Sequence, residues 1–260
     1  MTTAADEALN DRFEIARVQP DAPWRWLAGG WQDVMAARPT TLMIGAGFVA
    51  ISLFIAAGLW SVGLAAAIPA AAGGFAVLGP LLATTLYELS RRLETGQSTT
   101  LQDALAPRLE SAGQVAMIGF ALMIILMIWA RMAALLYALF VGLEWKGAAA
   151  FFAFALQTGP GLTMLVIGSL IGAGLAFLAF AVTAVSVPLA MDRRIDAMTA
   201  MITSVRVILR NRGAMFNWAW LIALMTGAGL ATGFIGLALV FPLLGCATWR
   251  AYRELIVDAP

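Results

Sequence analysis

The sequence has no histidine and one cysteine, Cys246. Without histidine, histidine-ligated haem, histidine-ligated metal and imidazole general-base chemistry are all excluded within this chain. A single cysteine cannot close a disulfide inside the chain. Charge is also scarce, at 12% of residues, where an ordinary soluble domain carries about 25%. The net charge of +1 offers no basic excess for nucleic acid. The first 20 residues are acidic and polar, with no basic stretch leading into an apolar one, so no signal peptide is expected. No nucleophile–base pair, carboxylate dyad within an apolar run or metal-ligand cluster is visible. The chain therefore reads as non-enzymatic, with no cofactor.

Oily residues fill the space that charge leaves. Hydrophobic residues make up 62% of the 260, and several runs exceed the roughly 18 residues that mark a membrane helix. Residues 1–20 read as a disordered tail. In "APWRWLAGGWQDVMAARP" (22–39), Trp24, Leu27, Trp31, Val34 and Met35 recur at helical spacing. This predicts an amphipathic helix lying in the membrane interface and ending at Pro39. The hydropathy pattern predicts spans at about 41–60, 64–87, 114–141 and 161–190. The uncharged run 214–249 would be about 54 Å long as one helix, too long for a hydrocarbon core of about 30 Å. It divides into spans at about 214–231 and 235–252. The fold class is thus all-α transmembrane, one six-span domain over 21–260. A polar break falls at 142–147, with an interfacial segment at 151–156.

Arginine sets the orientation. Arg25, Arg38, Arg91, Arg92, Arg108, Arg193, Arg194, Arg206, Arg210, Arg212, Arg250 and Arg253 all fall on one side of this layout, and only Lys146 lies in the opposite loops. By the positive-inside rule both termini are cytoplasmic. Three helix ends also read alike: "GPLLATTLYELSRR" (79–92), "VPLAMDRR" (187–194) and "FPLLGCATWRAYREL" (241–255). Amphipathic segments at 22–38, 99–111 and 196–213 precede the three span pairs. The pattern predicts three pseudo-repeated hairpins, each led by a cytoplasmic interfacial helix.

Few residues could carry chemistry. Arg131 lies inside "ALMIILMIWARMAALLYALF" (121–140), where an arginine at a helix centre costs about 2.5–3.5 kcal/mol on insertion scales. Two readings stay open for it: snorkelling or carbonyl contact, and an inward role as an anion site or interhelical ion pair. Pro80, Pro188 and Pro242 are expected to kink their helices, each freeing a carbonyl one turn back; packing and cavity lining are the two uses. Glu88 (beside Tyr87) and Asp192 read as anchors pairing locally with Arg91, Arg92, Arg193 and Arg194, the alternative being a cluster that closes the bundle. Gly168 and Gly172, and Gly229 and Gly233, have the small-xxx-small spacing that lets helices approach closely. Packing within the chain is the first expectation there and a homo-oligomer the second. The stretch from Gly168 to Gly174 lies within a span and is not a nucleotide loop.

Four blocks carry a family resemblance: "GFAVLGPLLATTLYELSRRLETGQ" (74–97), "WARMAALLYALF" (129–140), "SVPLAMDRRIDAMTAMITSVRVILRNRGAM" (186–215) and "FPLLGCATWRAYREL" (241–255). Together they resemble a bacterial integral membrane family, domain of unknown function 2189. Some of its members carry a cytochrome c oxidase subunit label. The resemblance implies an inner-membrane protein in a lipid bilayer, in respiratory company, and it transfers no functional residue. With the absent reaction site, it leads to the expectation of a non-catalytic accessory or assembly partner of a larger membrane complex. A transporter or channel using a cavity between the hairpins is the alternative.

Overall fold

The computed structural model describes residues 13–142 and 147–258. Among them the chain is almost wholly helical. It begins with strand β1 (Phe13–Ile15), the amphipathic helix α1 (Ala22–Ala36) and the apolar helix α2 (Arg38–Ser61). Helices α3 (Ile68–Leu82) and α4 (Thr84–Glu94) return, and the short α5 (Leu101–Leu105) follows. Helix α6 (Ala112–Phe140) crosses again, α7 (Ala148–Gln157) caps the turn, and α8 (Gly159–Thr183) with α9 (Ser186–Asp192) comes back. Last come α10 (Ala197–Arg210), α11 (Arg212–Ala231), α12 (Leu237–Leu255) and strand β2 (Ile256–Asp258).

Five helical stretches are long and apolar enough to cross a membrane: Arg38–Ser61, Ala65–Glu94, Ala112–Phe140, Gly159–Asp192 and Arg212–Ala231. Their mean hydropathy runs from 1.4 to 2.4, yet only 6–28% of each apolar window is buried inside the molecule. Most of their apolar surface is therefore left for lipid or for another protein. Helix α12 is not among the five. It carries Arg250, Arg253 and Glu254 near its end and is deeply enclosed, with Phe241, Leu244, Cys246, Trp249, Tyr252 and Leu255 among its buried residues.

Several boundaries differ from the hydropathy reading, and proline explains most of them. The sequence suggests that Pro39 ends the interfacial helix. Instead α1 stops at Ala36, and Pro39 sits in the first turn of α2. A missing N–H costs nothing there, because the first-turn amides have no helical acceptor. Pro160 stands likewise in the first turn of α8. The second and fourth spans are each broken. Ala83 separates α3 from α4 just after Pro80, and a break at 184–185 precedes Pro188, which falls in the first turn of α9. Pro242 lies inside the unbroken α12.

The main core gathers at the end of the bundle that holds β1 and β2, called the terminal end. Trp26, Trp218, Trp249, Tyr87 and Tyr252 are fully buried there. The segment around residues 13–20, read from sequence as part of a disordered tail, is built into this core. β1 pairs antiparallel with β2, Phe13 is buried, and the Val18 N–H donates to the Asn211 side chain at 2.9 Å. α1 turns Trp26, Gly30, Asp33 and Val34 inward and leaves Trp24, Trp31 and Met35 exposed. Val34 thus belongs to the core face, not to the interface stripe.

Close approach fixes how α1 and α2 lie on α12. A Cβ at Gly30 would meet the Ala247 backbone at 2.7 Å. A Cβ at Gly45 would stand 2.0 Å from the Ala238 carbonyl oxygen. That carbonyl is the one whose helical donor Pro242 lacks. The freed oxygen and the bare glycine therefore sit face to face, where a Cα–H···O contact is the available compensation.

Candidate functional site

Two places gather the polar groups of this apolar chain. The first is the terminal end. The α12 side chain Arg250 donates from Nε to Asp33 of α1 at 2.9 Å and makes a second, shorter contact with the same carboxylate. Asp33 is buried, so its charge is held by a two-pronged guanidinium contact. Arg250 also approaches Glu94 of α4 at 3.7 Å, and Arg253 bridges Glu94 (3.5 Å) and Asp192 of α9 (3.6 Å). The Tyr252 hydroxyl donates to Asp192 at 2.7 Å. Arg193 donates to the Tyr252 oxygen at 3.3 Å and pairs with Asp258 of β2 at 2.9 Å. Glu254 accepts from Trp26 Nε1 and from Arg25, each at 2.7 Å.

Glu88 lies nearby and is buried. It pairs with Arg91 and with Arg92 (2.7 Å), and it accepts from the Arg108 backbone N–H at 3.2 Å. The sequence expectation of local pairing therefore fits Glu88. Asp192 departs from it, because its partners are Tyr252 and Arg253 of the last helix and not the adjacent arginines alone. Ionic contacts thus join α1, α4, α9, α12 and β2 into one clasp.

The second place is Arg131 on α6. It is exposed, and it has no ion pair or side-chain hydrogen bond among the described residues. Two residues earlier, the Trp129 indole is wedged between helices. A Cβ at Gly73 of α3 or at Gly172 of α8 would meet its ring at 2.8 Å, and its N–H donates to the Ala70 carbonyl at 2.7 Å. Small residues here admit an indole, and the expected close packing within the chain is observed at Gly172. Sequence reading passed over Trp129, although a tryptophan in mid-span facing two glycine-bearing helices is a legible signal.

Arg131, Pro80, Pro188 and Pro242 stand in different surroundings. Pro188 and Pro242 are buried in the terminal-end core and Pro80 is half-buried on α3. An apolar crevice lies between α2, α3 and the turn before α12, lined by Ile51, Ile55, Ala71, Phe75, Leu230 and Phe234. None of the four sequence candidates lines it. Among the described residues, no cluster of three carboxylate or thiol side chains is placed to hold a metal ion. Lys146, named in the sequence reading, lies outside the described residues.

Comparison with known families fits this geometry. The family model described as "Predicted integral membrane protein (DUF2189)" matches residues 67–192. That segment runs from the start of α3 to the end of α9. The family resemblance read from the residues is confirmed over this stretch, which ends inside the block at 186–215 and does not reach the block at 241–255. No curated protein and no solved structure matches the chain.

Proposed function

Starting from that family match, we propose that the protein is a six-span bacterial inner-membrane protein that acts as a non-catalytic accessory or assembly partner of a larger membrane complex. The observation that carries this reading is the contrast between its two parts. The terminal end is tightly packed and tied by ion pairs. The spans expose most of their apolar surface, and α6 carries Arg131, which has no ion pair or side-chain hydrogen bond among the described residues. A module of this kind presents membrane surface rather than a reaction chamber.

The sixth span is α12. β1 and β2 pair, so residues 13–15 and 256–258 lie on the same side. An even number of crossings must separate them, and five apolar stretches leave the count odd. α12 runs antiparallel beside α11 and crosses α2 at Gly45, which supports it as the return crossing. Its arginines then fall at the cytoplasmic end, together with those of α4 and α10 and with Arg193 and Arg194 just after α9, and this supports cytoplasmic termini by the positive-inside rule. The three-hairpin repeat remains a proposal about descent. The three Pro-Leu pairs sit in three different local settings: before a break, after a break and within an unbroken helix.

Purification of the tagged chain from native membranes in mild detergent, with mass spectrometry of its companions, tests the accessory role. Stoichiometric membrane subunits are the expected result. A solitary protein enriched in one small molecule or lipid would instead move the assignment to transport.

A further inference from the structure

Arg131 is at the middle of α6's outward face. At 100° per residue, Ile124, Met127, Ile128, Leu135 and Ala138 fall within about 60° of it, and all are exposed or half-buried. Leu122, on the opposite side of the helix, is fully buried. The arginine therefore points away from the bundle and has no route into it.

Its depth is close to the middle of the apolar layer. Trp129 packs on Gly172, near the centre of the uncharged 25-residue helix α8, and Arg131 is about 3 Å further along α6. Counted from the other end, Arg131 stands about 14 Å before Phe140, half of a core of about 30 Å. Helical side chains lean toward the helix N-terminus. For α6 that direction leads deeper into the layer, not toward the nearer interface. Snorkelling is therefore poorly served, and a charge left in lipid at this depth is costly.

Resting on the accessory reading above, we propose that this face of α6 docks a transmembrane helix of a different membrane protein, one bearing an Asp or Glu at mid-depth that pairs with Arg131. A second copy of this chain does not meet the need. Every carboxylate among the described residues stands at the terminal end, so a parallel copy brings none to this level. Ala130, Ala134 and Ala138 border the arginine, with Ala130 and Ala134 exposed. They form a shallow seat at the spacing that lets two helices approach closely.

The full-length chain in phosphatidylcholine vesicles tests this. The probe is a leucine–alanine helix of about 20 residues with one central Asp, compared with the same helix carrying Leu, and association is read by energy transfer. The Asp helix is expected to bind about tenfold more tightly, and R131L should abolish that preference while R131K keeps part of it. Equal binding of the two probes, or a preference that survives in R131L, overturns the proposal. So does a preference that vanishes when phosphatidylglycerol is added, since the lipid headgroup is then the arginine's partner. The wider reading fails separately. If native companions co-purify equally with wild type and R131L, the accessory role stands without this site; if the Asp probe binds but no companion purifies, the docking chemistry stands without the role.

Discussion

At the scale of single residues, α12 is gripped where side chains are missing. Gly45→Ala would drive a methyl into the Ala238 carbonyl at 2.0 Å, and neither backbone can yield cheaply. The expected loss is about 1–3 kcal/mol, read as a lower midpoint of thermal unfolding in detergent. Gly47→Ala, two residues on, meets nothing within 4 Å and should be neutral or slightly stabilising, as alanine is the better helix former. Equal effects at the two positions would refute the close-approach argument. The Asp33–Arg250 pair makes a second test. Asp33→Ala strands a half-buried guanidinium, and Arg250→Ala strands a buried carboxylate. Each should cost about 1–3 kcal/mol, while the double variant costs less than the sum. Strict additivity would show that the two charges are not coupled.

At the scale of elements, two carboxylates hold helix starts. Asp103 completes a capping box with Thr100 at α5, and Asp196 caps α10 through the Thr199 N–H at 2.9 Å. Hydrogen bonds from the Thr100 and Ser98 hydroxyls, with Arg92 nearby, hold the Asp103 carboxyl below its ordinary range, and Thr199 does the same for Asp196. A carboxyl depressed in the folded state contributes its stability above the unfolded value of about 3.9. It loses that contribution as pH falls through the lower folded value. Amide-exchange protection, taken relative to the intrinsic rate at each pH, should therefore fall at residues 100–105 and 197–201 below about pH 4. Protection that stays flat through that range would dismiss the capping carboxylates as contributors.

The elements also show what the sequence disclosed. Hydropathy located the membrane helices to within a few residues, because a run without charge has no other stable place. It missed β1, since three residues pairing with a partner over 240 positions away leave no local period. It read α1 by its outward tryptophans and overlooked Trp26 and Asp33 on the inner face, because a buried acid is invisible until its arginine is placed. Arg131 was legible as an anomaly, but its facing became clear only once Leu122 was seen to occupy the buried side.

At the scale of the whole molecule, the proposed six-span topology keeps the paired strands β1 and β2 on one side of the membrane. Alkaline phosphatase fused after residue 260 should be inactive, held in the cytoplasm, while fusion to a chain ended at Gly236 should be active outside. Activity from the full-length fusion would remove α12 from the membrane and unsettle the topology. The same closure has a consequence for synthesis. Trp26 bonds to Glu254 across 228 positions, and Asp33 to Arg250 across 217. The part of the α1 inner face that meets α12 therefore stays uncovered until the last helix has been made, although Trp26 can pack edge-on against Trp218 of α11 before then. A chain cut short before Leu237 never supplies Arg250 or Glu254, so Asp33 and the Trp26 indole N–H are left without those partners.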